Sequence, residues 1–199
     1  MNSIETMEQD KDIVDKVRRA LGQRPLVLVG LMGCGKSSIG KRLSTKLALP
    51  FIDADEEIER VAQKSISEIF ADHGEAFFRD REAKVIARLL GNGPQVLATG
   101  GGAFITAETR QKIREAGISI WLRAELPVLM RRVGKRDSRP LLKNGDPEQV
   151  MRDLMAARYP IYAEADLTVE SRDIPHDSIV AEIIAALARH PALAQTTSI

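Results

Sequence analysis

The chain has 199 residues, 44% hydrophobic and 29% charged, enough for one globular domain that buries a core. Lys and Arg number 29 against 28 Asp and Glu, a net charge of +1, which leaves no general footprint for nucleic acid or an anionic membrane. A single cysteine excludes an internal disulfide framework, and no apolar run approaches the roughly 20 residues of a membrane span.

The stretch from Met1 to Asp10 is polar and acidic, unlike a secretory signal, so a cytoplasmic protein is expected. Ile13, Val14, Val17, Ala20 and Leu21 recur at helical spacing, and Gly22 can end that helix. An amphipathic helix packed on the domain is therefore expected over 10–21. Pro25 to Val29 is an unbroken apolar run, suited to a strand buried on both faces. A glycine-rich turn follows, then a helix over 36–47 and a short strand over 51–53. Ser65-Ile-Ser-Glu68 reads as a capping box opening a short helix, after a first helix at 56–63. A longer helix spans 74–90, and a third strand spans 95–98. Thr106 caps a helix running to about 116. A fourth strand over 118–122 leads to a helix over 125–133. The segment 134–147 is polar, basic and turn-rich, as a mobile lid would be. A helix over 148–165 carries Pro160, which is expected to kink it. A fifth strand spans 167–170, the last helix 178–189, and the chain beyond His190 reads as loose. Strands alternating with helices predict a parallel sheet covered on both faces, with ligands beyond the carboxyl ends of its strands. The polar motifs fall at those ends.

Gly30-Leu-Met-Gly-Cys-Gly-Lys36-Ser37 fits G-x-x-x-x-G-K-[ST] between a strand and a helix. Its glycines let backbone N–H groups of Gly33, Cys34 and Gly35 turn toward phosphate oxygens, and the helix start at Lys36, Ser37 and Ser38 adds a positive dipole end. Lys36 would bridge the β- and γ-phosphates of ATP, and the Ser37 hydroxyl would bind Mg²⁺. Cys34 reads as a small filler in this loop rather than a catalytic thiol. Asp53-Ala-Asp55 ends the second strand with two carboxylates. One can hold water on Mg²⁺ and one can accept a proton from a substrate hydroxyl, although either could serve only as a helix cap. Gly100-Gly101-Gly102 allows close approach of a substrate to the backbone, or is a plain turn. Arg79, Arg132, Arg136, Arg139 and Arg158 offer forks for carboxylates and phosphates, and a lid arginine can neutralise charge on a transferring phosphoryl group. The three histidines have no ligand spacing.

In order and spacing, the phosphate loop, Asp53-Ala-Asp55, the stretch Ile69 to Arg79, Ala98-Thr-Gly-Gly-Gly102, Arg139-Pro-Leu-Leu142 and Arg158-Tyr-Pro-Ile-Tyr162 resemble shikimate kinase. The resemblance covers about 26–188. It implies a three-layer α/β/α P-loop fold with a five-stranded parallel sheet, a substrate-binding segment at about 53–82 and a mobile lid at about 132–147. It places a single kinase domain at 25–190, between an N-terminal extension at 1–24 and a flexible tail at 191–199. It implies transfer of the γ-phosphoryl of ATP to the 3-hydroxyl of shikimate, on the route to chorismate and the aromatic amino acids. By the same resemblance Ser37 is a Mg²⁺ ligand and Asp53 a water-mediated partner of the metal. Asp55 meets shikimate hydroxyls and is the candidate base. Arg79 and Arg158 grip the shikimate carboxylate, and Gly101, flanked by Gly100 and Gly102, makes a backbone contact to it. Arg139 acts near the phosphates and Arg132 stacks on adenine. Ala54 stands where the family often has Thr or Ser, and Arg172-Asp-Ile-Pro175 matches the family's adenine-side turn only loosely.

Another P-loop small-molecule kinase, for gluconate or a nucleotide, would share the phosphate half of these motifs. The paired arginines with Asp55 and the triple glycine speak against it. A P-loop module that binds ATP without turnover is disfavoured by the intact Lys36, Ser37, Asp53 and Asp55. A monomer acting on a small molecule, with no nucleic-acid or membrane partner, is the expectation.

Overall fold

Four consecutive apolar residues, Leu26–Val29, form β1, and all four are inaccessible to solvent. Burial on both faces is what a central parallel strand requires. The computed structural model describes residues 3–134 and 146–194, with side chains over 11–134 and 146–193. The strands β1, β2 (Phe51–Asp53), β3 (Val96–Ala98), β4 (Ile118–Arg123) and β5 (Leu167–Glu170) form one parallel sheet in the order β2-β3-β1-β4-β5. The register aligns Leu28 of β1 with Ala98 of β3 and Ile120 of β4. Asp53 of β2 is also opposite Ala98. The carboxyl ends of β1, β2 and β3 therefore finish level, and everything that follows them opens onto one edge.

Helices connect the strands: α1 (Ser3–Leu21), α2 (Lys36–Leu47), α3 (Ala54–Ala62), α4 (Ile66–Leu90), α5 (Ala107–Ala116), α6 (Leu126–Val133), α7 (Pro147–Tyr162), α8 (His176–Ala188) and α9 (Pro191–Ala194). The core joins the sheet to Ile39, Leu43 and Leu47 of α2, Ile86 and Leu89 of α4, and Ile179, Ile183 and Leu187 of α8. A smaller apolar cluster of Ile58, Ile69 and Phe78, with Ile66, Phe70 and Val85 against it, fixes α3 on α4. That cluster supports the segment expected to bind substrate.

Several boundaries differ from the sequence reading. α1 begins at Ser3 rather than near Asp10, and it packs Val17, Ala20 and Leu21 into the core. The capping box at Ser65 is present: its hydroxyl accepts from Glu68 N–H, and Glu68 accepts from Ser65 N–H at 2.7 Å. α4 runs continuously from there, but Gly74 interrupts it with φ 79° and ψ 177°. The two expected helices thus meet at one non-helical residue. Thr106 precedes α5 without a side-chain cap bond, so its backbone alone starts that helix. α7 continues through Pro160 to Tyr162. Beyond His190 the expected loose chain begins instead as the short helix α9, with Leu193 buried. Most of the expected lid, including Arg136 and Arg139, lies outside the described residues.

Candidate active site

The loop between β1 and α2 curls through left-handed backbone at Gly33 (φ 84°) and Gly35 (φ 98°), which glycine adopts without strain. Gly35 is the residue that starts α2, so the helix begins where the motif places phosphate. Lys36 Nζ folds back onto this loop, donating to the carbonyls of Gly30 at 2.7 Å and Leu31 at 3.0 Å. Ser37 Oγ donates to Asp53 Oδ2 at 2.6 Å, across from α2 to the end of β2. The other Asp53 oxygen caps α3 by accepting from Asp55 N–H at 3.1 Å. The cap and the metal-side reading of Asp53 are therefore compatible, since each uses a different oxygen. A hydroxyl and a carboxylate oxygen beside a phosphate loop are the hard donors that Mg²⁺ takes, the rest of its sphere being phosphate and water. Among the described residues no group of three or more His, Cys, Asp or Glu side chains could hold a metal by itself. Cys34 is buried, with its Sγ 3.7 Å from Lys36 Nζ.

The triple glycine after β3 contacts the three groups expected to meet substrate, one glycine to each. A Cβ on Gly100 would lie 2.7 Å from Asp55 Oδ1 and 2.7 Å from Glu82 Oε1. On Gly101 it would come within 3.9 Å of Arg158 Nη1 and 3.5 Å of Met32 N in the phosphate loop. On Gly102 it would overlap the Arg79 guanidinium. At 100 and 102 only a residue without a side chain lets Asp55 and Arg79 close in, whereas at 101 a Cβ would make ordinary contact with Arg158. Arg158 Nη1 donates to Gly101 O at 3.1 Å, and the Tyr162 hydroxyl donates to the same carbonyl.

Asp55 is half-buried, and burial, then the neighbouring carboxylates Asp53 and Glu82, push its carboxyl up to about 6, with Lys36 opposing. A carboxylate titrating near neutrality is suited to accept a proton from a hydroxyl. Arg79 is held by Glu82 on one side, Nη1 to Oε2 at 2.7 Å, and by Glu75 on the other, Nη2 to Oε1 at 3.2 Å. Its guanidinium lies 5.2 Å from the centre of the Phe78 ring. Phe78 itself is buried, whereas Phe77 is exposed and stacks with His73.

Glu82 is a site residue that the motif reading passes over. It is 2% exposed, its Oε1 has no hydrogen-bond partner, and burial raises its carboxyl above the usual range despite Arg79 and Arg158. Its signal in the sequence is the i,i+3 spacing from Arg79 on one helix face. Tyr162, which the motif names without a role, lies one helical turn beyond Arg158 on α7 and is inaccessible at 1%.

Arg132 at the end of α6 lies under the phosphate loop. Its Nη1 donates to Ser171 Oγ at 2.8 Å and its Nη2 to Arg172 O at 2.6 Å. Arg132 thus meets the segment between β5 and α8, the expected adenine side. A separate groove of about 880 Å³ lies between α1, α2 and α8, lined by residues such as Ile13, Lys41 and Val180. It contains none of the motif residues.

The chain is similar to proteins of one known family. The sequence model of the shikimate kinase family matches residues 32–188. The chain is 59% identical over 168 residues to a shikimate kinase of Rhodopseudomonas palustris, covering 84% of this chain and 83% of that one. It is 53% identical over 178 residues to a shikimate kinase of Rhizobium meliloti, covering 89% and 93%. Its fold matches that of a shikimate kinase from Acinetobacter baumannii solved in complex with shikimate, with a TM-score of 0.80, 36% identity, and coverage of 83% and 93%. The family model and these likenesses together show that the chain belongs to the shikimate kinase family.

Proposed function

We propose that this protein transfers the γ-phosphoryl group of ATP to the 3-hydroxyl of shikimate, giving shikimate 3-phosphate and ADP, a step toward chorismate and the aromatic amino acids. The observation that carries the reading is the placement of Asp55, Arg158 and Arg79 against Gly100, Gly101 and Gly102, beside the phosphate loop. Shikimate is a small acid with three hydroxyls. Its carboxylate suits the two arginine forks, and its hydroxyls suit the Asp55 carboxylate. Family membership and the shikimate complex of the Acinetobacter relative support the same acceptor.

The phosphates of ATP lie along the N–H groups of 33–38. Lys36 exchanges its carbonyl partners for phosphate oxygens, so its charge reaches the phosphoryl group as it transfers. Ser37 and Asp53 would hold Mg²⁺ beside the phosphates. When bound, the ion neutralises charge on the phosphates. Arg79 and Arg158 fix the acid so that its 3-hydroxyl points in line at the γ-phosphorus. Asp55 accepts the hydroxyl proton. Arg132 lies along adenine, and Arg139, outside the described residues, approaches the phosphates when the lid closes and excludes water. Most of the acceleration is positioning and charge neutralisation. A monomeric enzyme of the cytoplasm completes this reading, in keeping with the balanced surface charge and the single buried cysteine. No helix among the described residues is long and apolar enough to cross a membrane.

Phosphorus NMR of the product formed from shikimate and Mg²⁺-ATP tests the proposal. A phosphomonoester coupled to the proton on C3 of the ring is expected. Release of inorganic phosphate alone would contradict it.

A further inference from the structure

We infer that Ser171 is a positioning residue for the phosphate loop, acting as a hydroxyl strut between that loop and the adenine-side segment. The inference rests on the loop's being the nucleotide phosphate site.

Ser171 follows β5 directly and is 1% exposed. Its backbone N–H donates to Arg123 O at 2.6 Å, which continues the sheet for one residue and fixes where the side chain starts. Its Oγ then makes two bonds of opposite sense. It donates to Cys34 O at 2.7 Å and accepts from Arg132 Nη1 at 2.8 Å. A hydroxyl can do both at once, which neither an ammonium nor a carbonyl can. Arg132 also reaches the carbonyls of Gly33 and Cys34, but only at 3.5 Å, so Ser171 makes the short bond to the loop.

The consequence follows from peptide planarity. In a trans peptide the C=O of one residue and the N–H of the next point in opposite directions. Ser171 anchors the Cys34 carbonyl into the protein interior. The Gly35 N–H, at the opposite edge of the same peptide plane, is thereby turned outward, to the face where α2 begins and phosphate would bind. Gly35 carries no side chain and sits at φ 98°; its carbonyl accepts from Ile39 N–H at 2.9 Å as α2 begins, and the Cys34 carbonyl fixes its N–H side. Without Ser171 Oγ the Cys34 carbonyl keeps only the long 3.5 Å contact from Arg132, and Arg132 loses its short bond to Ser171 in the same step.

The test is ADP affinity by calorimetry, together with the KM values for ATP and shikimate, on Ser171→Ala, Ser171→Thr and Ser171→Cys. Ser171→Ala is expected to weaken ADP and raise the KM for ATP about tenfold, the scale of one lost hydrogen bond in a buried site. The KM for shikimate should stay within about twofold, because the bond lies on the nucleotide side. Ser171→Thr keeps the hydroxyl and should restore ADP affinity. Ser171→Cys is close to serine in size with a weak donor, and should bind ADP less tightly than the native chain even if the alanine variant folds poorly. Unchanged ADP affinity in the alanine or cysteine variants would overturn the inference. So would a loss that falls equally on shikimate and is not rescued by threonine. ADP binding is read without shikimate, so a failure of the acceptor assignment leaves this comparison intact.

Discussion

Gly100 and Asp55 are packed so closely that a Cβ on the glycine would come 2.7 Å from Asp55 Oδ1. The same methyl would meet Glu82 Oε1 at 2.7 Å, so two carboxylates converge on one backbone position. Gly100→Ala must therefore move Asp55, Glu82 or the turn itself. The expected result is a rise of about tenfold or more in the KM for shikimate and a lower kcat, with the KM for ATP nearly unchanged. A stability loss of roughly 1–3 kcal/mol should accompany it, as for other overpacked sites. Steady-state kinetics in both substrates and a denaturant melt check this.

Asp55 supplies a pH prediction. Its carboxyl is pushed up to about 6 from 3.8, chiefly by burial. Activity should fall as pH drops through about 6, when the proposed base becomes protonated. Stability runs the other way. A carboxyl raised in the folded state favours folding fully below its unfolded value of 3.8, and that contribution is lost as pH rises through about 6. Asp55→Asn should then abolish most turnover yet be more stable than the native chain at pH 7.5, by about 1–2 kcal/mol. The gain should shrink between pH 6 and 4. A variant less stable at every pH would refute the electrostatic account of Asp55.

Among the described residues Lys36 hydrogen-bonds only within its own loop, to the carbonyls of Gly30 and Leu31 and to Cys34 Sγ. Lys36→Ala should cut turnover by about 100-fold or more, as removal of a charge-stabilising donor does. Its cost in stability should be about 1 kcal/mol, the worth of ordinary hydrogen bonds. An active, well-folded Lys36→Ala enzyme would sink the phosphoryl-transfer reading.

Arg158 and Arg79 should divide cleanly from the nucleotide side. Arg158→Ala is expected to raise the KM for shikimate about 10- to 100-fold, from the loss of charged hydrogen bonds, while the KM for ATP hardly moves. Arg79→Lys should also weaken shikimate, because an ammonium cannot hold Glu82, Glu75 and a carboxylate with one planar fork. Initial-rate kinetics with either substrate varied would show the split.

The parts of the site that were legible beforehand share a cause: their chemistry is local. The phosphate loop, the cap made by Asp53 and the capping box at Ser65 each join residues a few positions apart. Short-range spacing carries such features in the sequence itself. The triple glycine was legible as a place of close approach, but its pairing of Gly100 with Asp55 and Gly102 with Arg79 depends on strand order. Ser171 shows the other extreme, since its bond to Cys34 spans 137 residues and a lone serine after a strand carries no pattern. Glu82 lay between these cases. Its spacing from Arg79 was visible, but its burial against the Gly100 turn depends on how the sheet and α4 come together. Thr106 looked like a cap and makes no cap bond, because a propensity names a candidate and geometry decides its use.

A coupled ADP-release assay with Mg²⁺-ATP, comparing shikimate, gluconate and nucleoside monophosphates as acceptors, tests the central claim most directly. Turnover with shikimate alone is predicted, and it would place Asp55, Arg79 and Arg158 on that acid. Activity with another acceptor and none with shikimate would leave the phosphate half of the site standing and contradict the acceptor half.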